Sequence, residues 1–203
     1  MSRTPRLALA LALAVTGVTA FGASAAPAPK PVCNLITDPT GDVTVPSANL
    51  DIVSADIASD ARRLTGVIRV SKLATSDGTA PTGVAYSFYF KLPGSAVQYY
   101  LLASVEPAPV GATTFEFGTV ETGNSLTPIG PATGVIDLAK SEVRITAPTT
   151  LGSVKVKPGS KIVSLQAFTQ RRFVVLLSGA DSTELDESKT YTAGTRSCVT
   201  PGA

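Results

Sequence analysis

Residues 84–92 have the sequence VAYSFYFKL, in which every second residue is large and apolar. The large residues are Val84, Tyr86, Phe88, Phe90 and Leu92, and the residues between them are Ala85, Ser87, Tyr89 and Lys91. Successive side chains of a strand point to opposite faces, so this alternation predicts a half-buried strand with its aromatic face inward.

The next segment, residues 97–105, is rich in β-forming residues on both faces. Pro93-Gly94-Ser95 lies between the two segments and predicts a turn, so we expect the segments to form a hairpin. Because both of its faces are apolar, we expect residues 97–105 to form a central strand covered on two sides.

Further strand patterns follow around this hairpin, separated by turn signals such as Asp77-Gly78 and Lys157-Pro158-Gly159. They cover residues 64–73, 114–120, 134–137, 142–147, 161–168 and 173–177. Residues 137–142 and 181–189 could each form a single helical turn, but no long periodic helix separates the strands, which argues against an α/β fold. About eight short strands at near-regular spacing indicate an all-β sandwich or barrel.

The first 25 residues have the pattern of a secretory signal peptide. Arg3 and Arg6 precede a short apolar run, and Ala23-Ser24-Ala25 forms a cleavage site. We therefore expect an exported protein that begins with a Pro/Ala-rich leader, residues 26–32, and continues as one domain, residues 33–203. No later segment approaches the length of a transmembrane helix, so none is predicted.

Charge excludes some classes of partner. Two of the 17 basic residues, Arg3 and Arg6, lie in the signal segment, and the remainder is nearly balanced by 15 acidic residues. A near-neutral domain without a basic run lacks the positively charged patch that is typical of nucleic-acid-binding proteins. It also lacks the polybasic patch that attracts a protein to a membrane surface.

The two cysteines, Cys33 and Cys198, lie near opposite ends of the exported part. Export places them in an oxidising compartment, so we predict that they form a disulfide that joins the two ends of the domain.

The chain contains no histidine, which excludes a Ser-His-Asp triad and histidine-ligated zinc or haem. A glycoside hydrolase could still act through two carboxylates. The acidic residues nearest the strands show no spacing that selects a pair, and we predict no catalytic residues. They are Glu106, Glu116, Glu121, Asp137 and Glu142.

The absence of tryptophan removes the largest platform on which a sugar ring can stack. Tyr89 and Tyr100 remain as candidate ligand-binding residues, because their parity places them off the main aromatic face of their strands. The alternative is that each is an ordinary tyrosine in a second apolar layer or at a sheet edge.

The segment Asp38-Pro39-Thr40-Gly41-Asp42 precedes Asp51 and Asp56. Pro39 favours a turn and Gly41 permits a positive φ, so the loop can bring the carboxylates together. Clustered carboxylates at a bend suit calcium, and we predict a structural calcium site formed by Asp38, Asp42, Asp51 and Asp56. The alternative is a surface turn in which aspartate side chains accept local hydrogen bonds.

These same stretches, DPTGD at residues 38–42 and LDIVSAD at residues 50–56, resemble the opening of exported bacterial domains of the DOMON-like superfamily. The chain is most similar to the ninth family of carbohydrate-binding modules and to the C-terminal domain of glucodextranase, over roughly residues 33–168. The resemblance implies a two-sheet antiparallel β-sandwich of jelly-roll or immunoglobulin-like type, often with bound calcium, that serves as a binding or accessory module.

The sequence departs from these relatives at two points. Without tryptophan, the sugar-stacking pair expected of a carbohydrate-binding module has no obvious counterpart. Without histidine, and with Met1 as the sole methionine, the haem site of the cytochrome-type branch cannot form.

We therefore predict an exported, non-catalytic binding module for polysaccharide or another cell-envelope component. The alternatives are a structural or protein-interaction domain of the envelope and a carboxylate-based hydrolase. The sequence leaves open the identity of the ligand, the oligomeric state and whether the protein stays attached to the cell.

Overall fold

The computed structural model describes residues 31, 33–44, 47–74, 83–106, 111–172, 177–182 and 189–202. These residues form an all-β structure in which no helix occurs. The strands are β1 (Ile36–Thr37), β2 (Ile52–Ser59), β3 (Arg63–Val70), β4 (Gly83–Lys91), β5 (Gln98–Val105), β6 (Thr113–Val120), β7 (Leu126–Pro131), β8 (Thr133–Asp137), β9 (Glu142–Pro148), β10 (Thr150–Leu151), β11 (Val154–Lys155), β12 (Lys161–Arg172), β13 (Leu177–Ser182) and β14 (Tyr191–Thr192).

The strands form two main antiparallel sheets and one small hairpin. The smaller sheet has the order β1-β2-β3-β9-β8, and the larger has the order β13-β12-β4-β5-β6-β7 with β14 paired to β12. Strands β10 and β11 form the separate hairpin. The two sheets enclose one apolar core between them, so the predicted two-sheet β-sandwich is confirmed.

The segment VAYSFYFKL forms most of β4, and its side chains alternate as predicted. Tyr86, Phe88 and Phe90 are at most 1% exposed and lie in the core between the sheets. Strand β4 pairs with β5, which confirms the hairpin, and Phe90 lies opposite Tyr99. Strand β5 lies between β4 and β6 and is buried on both faces, as expected for a central strand.

The two sheets approach each other closely at Gly66 of β3. A Cβ atom at this position would lie 2.9 Å from Leu101 Cδ1 and 3.3 Å from Phe88 Cβ. Only glycine leaves room for both side chains, so the absence of a side chain in β3 allows the aromatic face of β4 to pack against it.

The predicted helical turns have different outcomes. Residues 138–141 form a hairpin turn between β8 and β9, in which Lys140 N donates to Asp137 Oδ1 over 3.1 Å. Asp181 and Ser182 belong to β13, whereas residues 183–188 lie outside the described residues.

The predicted strand over residues 173–177 is described only at Leu177, where β13 begins. The predicted turn at Asp77-Gly78 lies outside the described ranges.

Cys33 and Cys198 form the predicted disulfide, with their Cα atoms 5.2 Å apart. Residues 198–202, which we call the C-terminal strap, continue across the outer face of the smaller sheet. Val199 of the strap is buried against Ala58 and Val67. Gly202 N donates to Thr65 Oγ1 over 2.9 Å, so the end of the strap is held on β3 as well.

The proposed signal peptide, residues 1–25, lies outside the described residues, as does the leader except for Pro31. No helix in the described part of the chain has the length and apolar character needed to cross a membrane.

Candidate binding face and metal centre

The two candidate ligand-binding tyrosines lie side by side on the larger sheet, on the face that points away from the core. Tyr89 of β4 is directly opposite Tyr100 of β5, and Gln166 of β12 is opposite Tyr89 on the other side. The strand register therefore brings together two residues that are 11 positions apart in the sequence.

Tyr100 is not available to a ligand, because its side chain is fully buried. Its ring lies over Gly118 of β6, where a Cβ atom would be 2.7 Å from Tyr100 Cε1. The Tyr100 hydroxyl donates to Glu116 Oε1 over 2.8 Å. Burial, together with the hydrogen bond and the charge of Glu116, raises the pKa of Tyr100 well above its usual range. Tyr100 thus supports the sheet, which matches the alternative interpretation of this residue.

Tyr89 is half-buried, and its ring packs against Phe168 of β12. The ring centroids are 4.9 Å apart and the planes are tilted by 45°. Burial raises the pKa of Tyr89, while the nearby Ser87 hydroxyl lowers it. The phenol therefore stays neutral at ordinary pH, and the two partly exposed rings lie in contact on this face.

Phe168 was not among the predicted site residues. Its neighbours Leu165 and Ala167 belong to the core, and Phe168 points to the opposite face, where it lies across from Ser87. An apolar residue out of phase with the core residues of its strand is a sequence signal that could have identified it.

Three polar residues surround the aromatic pair. Gln166 lies opposite Tyr89, while Lys91 and Gln98 form the next cross-strand pair on the same face. All three are partly exposed. We refer to Tyr89, Phe168, Gln166, Lys91 and Gln98 together as the Tyr89 face.

A second candidate site is a cluster of three carboxylates. Asp38, Asp42 and Asp181 each place an oxygen within 4.8 Å of the other two. Asp38 follows β1, Asp42 lies in the next turn and Asp181 belongs to β13. Gly41 has a φ of +87°, so the turn predicted between Asp38 and Asp42 does use the conformational freedom of glycine.

Asp181 is the member of this cluster that the sequence analysis missed. Its Oδ2 atom accepts a hydrogen bond of 2.7 Å from Ile52 N, which holds β13 against the start of β2. Burial is the main reason that the pKa of Asp181 is raised, and the charges of Asp42 and Asp51 add to this effect. Three such carboxylates can hold a hard cation.

Asp51, a predicted calcium ligand, is occupied by protein groups. Its Oδ1 atom accepts from Gly41 N over 2.8 Å, and its Oδ2 atom accepts a short hydrogen bond from the Ser71 hydroxyl. Asp51 therefore closes the turn as an aspartate hydrogen-bond acceptor, in agreement with the alternative interpretation of this segment.

Asp56, the fourth predicted ligand, lies on the outer face of the smaller sheet. Its Oδ2 atom is 2.6 Å from Arg69 Nη1, and its Oδ1 atom accepts from Leu35 N over 2.7 Å. These contacts neutralise the charge of Asp56, and it is not a member of the described cluster.

The carboxylates considered for a hydrolase have other partners. Glu116 accepts from Tyr100, Glu121 accepts from Thr119, and Glu142 is bound by two arginines. Asp137 pairs with Lys140, whose hydrogen bonds lower the pKa of that carboxyl. Among the described contacts, none joins two of these four acids into a pair.

No protein-family model matches the chain, and no curated protein or solved structure matches it significantly. The relationship to DOMON-like domains therefore remains a prediction that rests on residues 38–56. Function has to be argued from the geometry of the Tyr89 face and of the acidic cluster.

Proposed function

We propose that this chain is an exported, non-catalytic binding module that holds a polysaccharide on the Tyr89 face. The observation that carries the proposal is the contact between Tyr89 and Phe168, because two aromatic rings lie together on the side of the larger sheet that faces away from the core. Both residues are partly exposed, so the aromatic pair is accessible to a ligand.

The composition of the Tyr89 face fits a sugar chain. Aromatic rings bind the apolar faces of sugar rings, and side-chain amides can both donate to and accept from hydroxyl groups. Gln166 and Gln98 place such amides beside Tyr89. Partly exposed aromatic residues with a few convergent polar groups are typical of ligand sites.

Binding of the mature protein to a glycan array tests the proposal. Tyr89→Ala and Phe168→Ala should each weaken binding to any recognised glycan by about fivefold or more, since a stacked aromatic contact contributes on the order of 1 kcal/mol or more. Val135→Ala is the matched control, because Val135 is 51% exposed on the smaller sheet, far from the Tyr89 face.

Circular dichroism of each variant should confirm that the fold is intact. Failure of the wild type to bind any glycan would overturn the proposal and favour a structural or protein-interaction role. Equal losses in all three variants would show that the Tyr89 face is not the binding surface.

We also propose that Asp38, Asp42 and Asp181 hold a structural calcium ion. The ion would offset repulsion among three carboxylates that lie within 4.8 Å of one another. It would also connect the loop after β1 with β13, which belongs to the other sheet. A cation that binds only the folded state raises the free energy of unfolding by RT ln(1 + [L]/Kd), so the melting temperature rises with the concentration of the cation.

Melting in chelator and in millimolar calcium tests this second proposal. Asp42→Asn should abolish the calcium-dependent shift, and because Asp42 is exposed, the substitution should leave the fold intact. Asp60→Asn is the control, since Asp60 pairs with Arg63 in the β2–β3 turn. A wild-type protein whose melting temperature does not respond to calcium would refute the site.

A further inference from the structure

We propose that the Tyr89 face selects acidic polysaccharides, with the Lys91 ammonium group pairing with a carboxylate of the bound sugar. This inference rests on the proposed function, because it specifies which class of polysaccharide that function requires.

The first argument is the distribution of charge on the outward face of the larger sheet. Among the residues of β12, β4, β5 and β6 whose side chains the structure describes, the outward positions carry three charged residues, Lys91, Lys161 and Glu116. Glu116 accepts the Tyr100 hydroxyl, whereas Lys91 has no ion pair with any described carboxylate. With Lys91 and Lys161 against Glu116, the net charge of these described outward positions is positive.

The second argument is position. Lys91 and Tyr89 lie on the same face of β4 and are two residues apart, so their Cα atoms are separated by about 6.6 Å along the strand. A sugar that stacks on Tyr89 thus places its ring substituents within reach of the flexible lysine side chain. Gln98 lies directly opposite Lys91 and offers an amide to the same substituents.

The third argument is the absence of a competing negative charge on the aromatic pair. Burial raises the pKa of Tyr89, so its hydroxyl remains neutral and does not repel an anion. A lysine that has no ion pair with any described carboxylate and lies beside a neutral aromatic platform is complementary to a uronic acid, which combines an apolar ring face with a carboxylate.

The experiment compares each of several uronic-acid polysaccharides with its carboxyl-reduced form, which keeps the backbone but removes the charge. Wild-type protein should bind the acidic form about 2- to 5-fold more tightly at low salt, as expected for one partly exposed ion pair, and the preference should shrink as salt increases. Lys91→Gln should remove the preference, and Lys91→Arg should retain it. Lys155→Gln is the control, because Lys155 is exposed on the β10–β11 hairpin.

The outcomes separate this inference from the proposed function. Glycan binding that depends on Tyr89 and Phe168 but is equal for acidic and carboxyl-reduced forms overturns the role of Lys91 alone. A preference for acidic glycans that persists in Lys91→Gln also overturns it. If no glycan binds, both proposals fail.

Discussion

On the outer face of the smaller sheet, the charged side chains are paired with one another, whereas Lys91 on the outer face of the larger sheet has no acidic partner among the described residues. Arg69 contacts both Asp56 and Glu142, at 2.6 and 3.1 Å, and Arg144 contacts Glu142 at 2.7 Å. The C-terminal strap then covers part of this face. Because these acidic and basic side chains pair with one another, they stabilise the fold and leave little charge free to bind a ligand.

The larger sheet shows the opposite arrangement. The Tyr89 face combines aromatic rings, amides and a lysine, all partly exposed. Its residues are held in place by strand register and not by a network of ion pairs. The charged side chains of the smaller sheet therefore should contribute more to stability than those of the Tyr89 face, and the following substitutions test that difference.

The largest effect is expected for Arg69→Ala, which leaves the buried carboxylates Asp56 and Glu142 without their shared partner. Removing one member of a buried ion pair costs about 3–5 kcal/mol. Lys91→Ala should change the free energy of unfolding by no more than about 0.5 kcal/mol, as is usual for surface positions. Urea denaturation measures both values, and similar costs would show that the two faces do not differ as described.

The next largest effect is expected for the double variant Cys33→Ser, Cys198→Ser. Loss of the disulfide should cost about 2–4 kcal/mol, since the unfolded chain is no longer cross-linked. Hydrogen exchange should show faster exchange in β2 and β3, beneath the C-terminal strap, than in β4 and β5. Equal loss of protection from exchange in both sheets would mean that the disulfide and the strap do not specifically stabilise β2 and β3.

The substitutions Tyr100→Phe and Tyr89→Phe compare how much each tyrosine hydroxyl contributes to stability. Tyr100→Phe removes the hydroxyl that donates to Glu116, and it should cost about 1 kcal/mol. Tyr89→Phe should cost less, because no hydrogen bond between the Tyr89 hydroxyl and a described residue matches the one from Tyr100 to Glu116. Thermal denaturation of both variants checks the order, and the reverse order would refute the assignment of Tyr100 as the supporting residue.

The smallest effect concerns pH. The pKa of Asp181 is raised mainly by burial, so the folded state binds its proton more tightly than the unfolded state does. Its contribution to stability is therefore complete below the unfolded pKa of about 3.9 and is lost as the pH rises through the folded pKa. In chelator, Asp181→Asn should melt higher than the wild type at pH 7, and the difference should disappear in acid.

Asp60→Asn provides a control of opposite sign. Hydrogen bonds, chiefly from Arg62 N, lower the pKa of Asp60, so its contribution is present at neutral pH and is lost as the pH falls. A melting curve of Asp181→Asn that follows the wild type at every pH would show that burial and the acidic neighbours do not destabilise the charged form of Asp181.

Strands β3, β4, β5 and β9 were predictable because at least one face of each is buried. The alternation in residues 84–92 identifies β4 and its inward side chains, since a shift of one residue would place Phe88 in water. The turn between Asp38 and Asp42 was also predictable, because Pro39 and Gly41 act locally. Both features depend on residues that are close in sequence.

The candidate sites depend on long-range contacts, and this limited their prediction. Asp181 meets Ile52, 129 positions away, only because β13 lies at the edge of the other sheet. Asp56 is neutralised by Arg69, which lies on the neighbouring strand β3. The burial of Tyr100 depends on the space that Gly118 leaves in β6. None of these partners can be read from the local pattern around the residue itself.

The bond between Cys33 and Cys198 also determines how the molecule responds to mechanical force. All of the described strands lie between these two cysteines in the sequence. Tension applied to the chain before Cys33 and after Cys198 passes through the sulfur–sulfur bond and bypasses the 165-residue separation between them. The sandwich therefore carries no tension along its backbone while the bond is intact, and pulling on the two ends cannot unravel its sheets strand by strand.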